Sequence, residues 1–409
     1  MKIRRNANKR PFFEIFLKIP VAWLQLTNNK MRFLVAVMGV AFAGMSVFMQ
    51  LAFHESLYDS QSAVHNLLDA DFVVFNKEMQ TLYRPVDFPR RHLYRVLNQP
   101  EVASVNYLYA SQQSLRSEDV EAGIAITLFG INPANSPFIN SLTQDTTAQS
   151  SLQSITSQLN ATGAVLVSKD SDLKEFGQVG EQLLAGKPAI AELGNKTIFM
   201  RQLVDFAGAS FVDEGNMLMS IPTFLRVSPG RSAEQIALGL IKLHPDVEQE
   251  AAFDSIRVQL PDKLQLMSKQ AFIDYEEAYW AKNAPIGFIL KMGVCVSFSV
   301  GVIIVYQILY NEVSDHLSDY AVLKAAGFKH RYFLVVLMQE ALLLAVAGYI
   351  PGVIMSLLLY DLTHKVTAIP MTMPIDRALL VLLLSTGMCF TSGVISMRKL
   401  EEADPAELF

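Results

Sequence analysis

The chain has 409 residues, 51% of them hydrophobic, with a formal net charge of −5 and only two cysteines. Its mean hydropathy of +0.27 lies above the range of ordinary soluble chains, so membrane spans are the first thing to seek. The charge gives no sign of a nucleic-acid partner, and Cys295 and Cys389 both fall in apolar stretches, which leaves the rest of the chain without a disulfide.

Residues 1–32 form a basic leader. Lys2, Arg4, Arg5, Lys9, Arg10, Lys18, Lys30 and Arg32 stand against the single acid Glu14. Within it Phe12, Phe13, Phe16, Ile19, Trp23 and Leu26 can share one face of an interfacial amphipathic helix. The first stretch long enough to span, 33–53, follows; a span takes roughly 20 apolar residues. It lies too far from the N-terminus, and is too long, for a cleaved signal peptide. The basic leader places the N-terminus in the cytoplasm. Small residues recur at four-residue spacing in this span, at Gly39 and Ala43, and permit close helix packing.

Residues 54–285 are expected outside the membrane. Between His54 and Lys282 there are 28 Asp and Glu against 18 Lys and Arg, an acidic domain that hides a basic remainder. The apolar helical period of the first span continues through Phe53, Leu57, Val64, Leu67 and Leu68, and Leu264–Lys282 also reads as helix. Together they predict a helical stalk, with Pro285 at its joint to the second span. In between, strands are expected at Phe72–Phe75, Ala103–Ala110, Ile124–Phe129 and Ser255–Leu260, and helices at Arg90–Leu97 and Ala233–His244. That order suggests two βαβ halves with an insertion at about 135–220. Inside the insertion, Ile190–Leu193 and Thr197–Phe206 flank a hairpin loop at Gly194-Asn195-Lys196.

Three further spans follow, at 286–309, 334–360 and 378–397. They are joined by an inner loop, 310–333, and a short outer loop, 361–377, and end in a tail, 398–409. Gly348, Pro351 and Gly352 predict close packing and a kink in the third span. With four spans, both termini face the cytoplasm. The fold class is an integral membrane α-helical protein with a large α+β extracytoplasmic domain.

Chemistry-bearing motifs are thin. Gly180 and Gly186-Lys187 approach a phosphate loop, but five residues separate the glycines and Pro188 stands where Ser or Thr is needed. His54-Glu55 begins like a zinc helix and finds Tyr58 in place of the second histidine. Ser210 lacks the final glycine of a nucleophile elbow. Lys291, Gln307 and Glu340 sit near span ends, within snorkelling reach, and no line of charges crosses the middle of the spans. The chain is expected to have no catalytic, cofactor or metal site.

The inner loop is the most informative segment. Read as a helix, Val313, Leu317, Tyr320 and Leu323 or Lys324 share one side, and Gly327 is a suitable stop. Leu323-Lys324-Ala325-Ala326-Gly327 resembles the coupling-helix signature of the MacB/FtsX-type ABC transporter permeases, and the tail Ala403-Asp404-Pro405-Ala406-Glu407-Leu408 is similar to that family's ending. The layout agrees: one span, a large external domain, three spans. His316 departs, since most members carry arginine there. Val313-Ser314-Asp315-His316-Leu317 and Tyr320-Ala321 look like the DevC branch. So do Ile19-Pro20-Val21-Ala22-Trp23, Gln339-Glu340-Ala341 and Leu359-Tyr360-Asp361-Leu362-Thr363.

The resemblance implies an ATPase-coupling helix carrying Val313, Asp315, His316, Asp319, Tyr320, Leu323, Lys324, Ala325, Ala326 and Gly327. It implies a homodimer in the bacterial inner membrane, paired with a separate DevA-like ATPase that binds ATP and magnesium. It further implies a DevB-like membrane-fusion adaptor, a TolC-like outer-membrane duct, and glycolipid export in cyanobacteria. The external domain would be porter-like βαβ halves with an inserted β-rich subdomain. Within the same family, an FtsX-like regulator of a wall hydrolase or a lipoprotein-releasing permease is the alternative. A membrane-anchored sensor or enzyme is a third reading, which the coupling-type loop disfavours.

Overall fold

The computed structural model describes residues 23, 29–135, 138, 155–207, 210, 213–315, 322–323, 330–367 and 371–402. In chain order the elements begin with helix α1 (Lys30–Asn66), strands β1 (Phe72–Asn76) and β2 (Phe88–Pro89), helix α2 (Arg91–Val96), and strands β3 (Val102–Ser117) and β4 (Val120–Ile131). Next come β5 (Ala164–Ser168), α3 (Gln178–Leu184), β6 (Ala189–Leu193), β7 (Lys196–Val204), β8 (Asn216–Ser220) and α4 (Ile221–Val227). The chain continues with β9 (Gln235–Ile236), β10 (Leu238–Leu243), α5 (Gln249–Gln259), β11 (Leu264–Ser268) and α6 (Lys269–Asn283). It closes with α7 (Pro285–Asp315), α8 (His330–Thr367) and α9 (Ile375–Glu402).

These elements fall into two units: a helical one through His54, over Ile286–Leu362 and from Met371, and a mixed α/β one over Glu55–Pro285 with Thr363–Pro370. In the helical unit, α1, α7, α8 and α9 are each long and apolar enough to cross a membrane. Helices satisfy their own backbone hydrogen bonds, which a spanning segment requires. The protein is therefore a multi-pass membrane protein. Its interior is a cluster drawn from all four helices, among them Val40, Ala43, Leu309, Val313, Leu337, Ala341, Met388 and Cys389. Hydroxyls tie the helices together as well: Ser392 Oγ donates to the Val302 carbonyl at 2.8 Å, and Tyr360 donates to the Phe48 carbonyl at 2.9 Å. Of the interfacial helix expected over residues 11–30, only Trp23, Asn29 and Lys30 are among the described residues.

The α/β unit contains one sheet in the order β11-β1-β10-β3-β4-β8-β5-β7-β6, and β6 returns to pair with β3. Strand β3 is the hinge of this arrangement. Its first half, Val102 to Leu108, pairs with β10, and its second half pairs with β4. Leu115 and Arg116 then meet Leu193 and Glu192 of β6. The six strands β3, β4, β8, β5, β7 and β6 thus close into a barrel, which removes most of the exposed sheet edge. The other part, β11-β1-β10-β3, is wholly antiparallel. With α2 between β1 and β3 and α5 between β10 and β11, it is a pair of interleaved split βαβ units.

Two of the expected elements are exchanged. Residues 233–244, read as helix, form β9 and β10, and Ser255–Leu260, read as strand, belongs to α5. Strand β10 is buried on nearly every residue, so no alternation marks it. In α5 the apparent alternation of Ile256 and Val258 misleads, because Val258 is 81% exposed while Ala252 and Ile256, four apart, are buried. A third correction concerns Leu264–Lys282, whose first five residues are β11; Ser268 then caps α6 by accepting from the Ala271 N–H at 3.2 Å. The last turns of α1 do lie against α6, with the His65 and Phe272 rings 5.1 Å apart. Helix α6 ends at extended Ala284, and Pro285 opens α7. The hairpin loop is Gly194-Asn195, with φ of +52° and +58° and Leu193 paired to Lys196, as a two-residue turn between twisted strands requires.

Candidate functional site

Helix α7 continues past its apolar run to Asp315, and this end carries the first residues of the expected coupling segment. Val313 is buried in the bundle cluster beside Leu309 and Phe333, and half-buried Leu323 packs against the same cluster. Val322 is exposed. His316, Asp319, Tyr320, Lys324, Ala325, Ala326 and Gly327 lie outside the described residues. Asp315 is exposed and accepts from Arg32 Nη1 at 2.6 Å, while Glu312, one turn earlier, accepts from the same nitrogen at 3.3 Å. The side chain of Glu312 is only 8% exposed against 55% for Asp315, so Arg32 bridges a shielded and a solvated carboxylate. Arg32 and Glu312 were not singled out in the sequence: Arg32 reads as one more charge of a basic leader.

Glu340 corrects a second expectation. It does not snorkel; it is wholly buried, and neither carboxylate oxygen has a hydrogen-bond partner. In hydropathy it looks like an acid near the end of a span. Its burial follows from which side of α8 faces the cluster, where its neighbour Ala341 also lies.

The small residues are in contact within the chain. A Cβ on Gly39 would come within 2.6 Å of Ile304 Cγ2, and one on Gly348 within 2.6 Å of Val40 Cγ1. Ala43 of α1 faces Gly301 of α7, and Gly352 faces the Ala41 carbonyl, 3.2 Å from where its Cβ would be. These contacts press α1 against both α7 and α8, which only small residues allow. Pro351 lies inside α8, where it can donate no helical hydrogen bond.

In the α/β unit the sequence missed a buried acid. Thr127 and Ser210 both donate hydroxyl bonds to the Asp213 carboxylate, the latter at 2.9 Å. Burial pushes the Asp213 carboxyl up to about 6, against the opposing effect of those two donors. A separate cleft of about 650 Å³ opens beside Arg116, Asp119, Gln178, Gln182, Ile190 and Glu192. Asp119 braces it by accepting from the Gln178 N–H at 2.6 Å. Among the described residues no group of three or more His, Cys, Asp or Glu is placed to hold a metal ion.

Residues 291–405 match the FtsX-like permease C-terminal family. That segment takes in most of α7, the loop after it, α8 and α9. No curated protein matches the chain. The periplasmic region of MacB from Actinobacillus actinomycetemcomitans is similar over 51% of this chain and 94% of its own, at 13% identity and a TM-score of 0.34. The extracellular domain of the noncanonic ABC-type transporter YknZ from Gram-positive bacteria is similar over 48% of this chain and 98% of its own, at 16% identity and a TM-score of 0.31.

Proposed function

We propose that the chain is the permease subunit of an ABC exporter, converting ATP hydrolysis in a separate ATPase into motion of an extracytoplasmic domain. The observation that carries this reading is the FtsX-like permease match over residues 291–405, which encloses the coupling-type loop. The basic leader supports cytoplasmic termini, and so an α/β unit on the far side of the membrane. ATP binding would close the ATPase dimer and displace the segment from Asp315 to Gly327. Val313 is buried in the bundle and Asp315 continues the same helix, so a displacement at the loop would load α7 directly.

The finer assignment is the DevC branch, on the loop and span motifs quoted above. It adds a homodimer, a DevA-like ATPase holding ATP and magnesium, a DevB-like adaptor, and a TolC-like duct for glycolipid or related cargo. The site is the inner membrane of a bacterium of the cyanobacterial kind. Cargo would be squeezed outward by the paired external domains and would not pass through these four helices.

Affinity purification of the full chain from native membranes tests this. An ATPase and an adaptor should co-purify, with lipid in the extract. Recovery of a wall hydrolase or a lipoprotein carrier in their place would move the chain to the alternative role within the family. In a variant lacking Cys295 and Cys389, Glu118→Cys should react with an impermeant maleimide in intact spheroplasts. Reaction only after lysis would overturn the orientation.

A further inference from the structure

Arginine is unevenly placed in the α/β unit. Residues 54–282 hold nine arginines, and four of them, Arg84, Arg90, Arg91 and Arg95, fall within a stretch whose only acid is Asp87. Arg90 and Asp87 are already paired, with Glu234 and Arg231. Arg91 and Arg95 lie one turn apart on α2, and both are exposed. On the same outer surface Tyr94 is 50% exposed, and Leu97 at the end of the helix is 43% exposed. Helix α5 packs against α2, and Leu93, Val96, Ala252 and Ile256 of the two helices enter one buried cluster. The outer stripe of α5, at four-residue spacing, is Glu250, Asp254 and Val258, all exposed. Its one cation, Arg257, donates to the Leu260 carbonyl at 3.4 Å. Neighbouring helices thus present opposite charge, and within the chain those charges do not meet. Among the described residues no ion pair joins Arg91 or Arg95 to Glu250 or Asp254.

A basic helix beside an acidic one is a self-complementary surface, which is what a twofold contact requires, since the same patch must serve both copies. We propose that α2 and α5 form the contact face between the α/β units of two copies of this chain. Helix α2 of each copy lies on α5 of the other, so that Arg91 and Arg95 meet Glu250 and Asp254 across the contact. Tyr94, Leu97 and Val258 are the apolar side chains that it covers. Tyrosine and arginine are among the residues that carry most interface energy. Helices of 6 and 11 residues are a small surface against the roughly 1,200 Å² of a stable free interface. Confinement of both chains to one membrane supplies the effective concentration that so small a contact needs. That the chain pairs with a copy of itself rests on the function proposed above; the choice of face rests on these two helices.

The test uses the full chain in its native membrane, lacking Cys295 and Cys389, with one new cysteine in each copy. One copy carries Tyr94→Cys and a differently tagged one Val258→Cys, and mild oxidation should join them in a mixed disulfide. Ile190→Cys, also at an exposed position but on β6, should not join Tyr94→Cys. Arg91→Glu with Arg95→Glu in both copies should lower the mixed-disulfide yield on the order of fivefold. Adding Glu250→Arg with Asp254→Arg should restore it, because every pair is then reversed, and that recovery separates lost contact from misfolding. A yield indifferent to both reversals would overturn the charge pairing. Counting labelled chains per spot by single-molecule fluorescence in the same membrane reads pairing by itself. Two chains per spot without the mixed disulfide would overturn this face and leave the homodimer standing. One chain per spot would overturn the homodimer and the face with it. A disulfide from Tyr94→Cys to another protein in place of the second copy would assign the basic helix to an acidic partner and overturn the proposal too.

Discussion

Arg32 and Asp315 stand 283 positions apart in sequence and 2.6 Å apart in the fold. The bond joins the start of the first long helix to the end of the second, where the coupling-type loop begins. An exposed ion pair contributes little stability, on the order of 1 kcal/mol or less. Its interest is positional, because it lies at the start of the loop proposed above to couple to an ATPase.

Leu323 is expected to be sensitive to charge. It is half-buried against the bundle cluster, and an aspartate there would place an unpaired carboxylate against an apolar surface. Leu323→Asp should reduce co-purification of the ATPase severalfold, whereas Leu323→Met, which conserves volume, should behave like the parent. Equal recovery of the ATPase with both variants would remove Leu323 from the coupling surface.

Gly348 should tolerate no large side chain. Its would-be Cβ meets Val40 Cγ1 at 2.6 Å, so Gly348→Leu forces α1 and α8 apart at a cost of about 1–3 kcal/mol or more. With Cys295→Ser in detergent, the temperature at which buried Cys389 becomes reactive to a fluorogenic maleimide should fall accordingly, and Val40→Ala should restore part of the loss in Gly348→Ala. A melt unchanged by Gly348→Leu would mean that these helices do not pack as described.

The α/β unit should lose stability as pH rises through 6. Asp213 ordinarily titrates near 3.8 and is raised to about 6 by burial, so the folded chain keeps a proton that the unfolded chain has released. That contribution is fully present below about 4 and is lost above about 6, up to ~3 kcal/mol in all. With Trp23→Phe, Trp280 is the remaining tryptophan, and its fluorescence reports unfolding of this unit. Stability should decline from pH 4 to 7 in the parent and much less in Asp213→Asn. Identical slopes would exclude Asp213 as the source.

What the sequence made legible follows the range of the interactions involved. The spans and the hairpin at Gly194-Asn195-Lys196 rest on local signals, apolar length and turn residues, and they emerged directly, although Lys196 belongs to β7 and the turn itself is Gly194-Asn195. The exchange of strand and helix over residues 233–260 arose because β10 is buried on nearly every residue and α5 offers a false alternation at Val258. Closure of the barrel depends on only two residue pairs between β3 and β6, Leu115 with Leu193 and Arg116 with Glu192, and no local pattern announces such a contact. Asp213 meets Thr127 from 86 positions away, and Glu340 is marked by burial alone. Polar residues that find their surroundings through the tertiary fold are the ones that a linear reading passes over.

In the function proposed above, this chain transmits ATP-driven motion without hydrolysing ATP itself. The most direct measurement is ATP turnover by the full chain, purified alone and then with the ATPase that co-purifies from its native membrane. No turnover is expected from the chain alone; turnover is expected from the pair, with its uncoupling from transport in Leu323→Asp. Sustained hydrolysis by the isolated chain, unchanged after rigorous removal of contaminants, would contradict it.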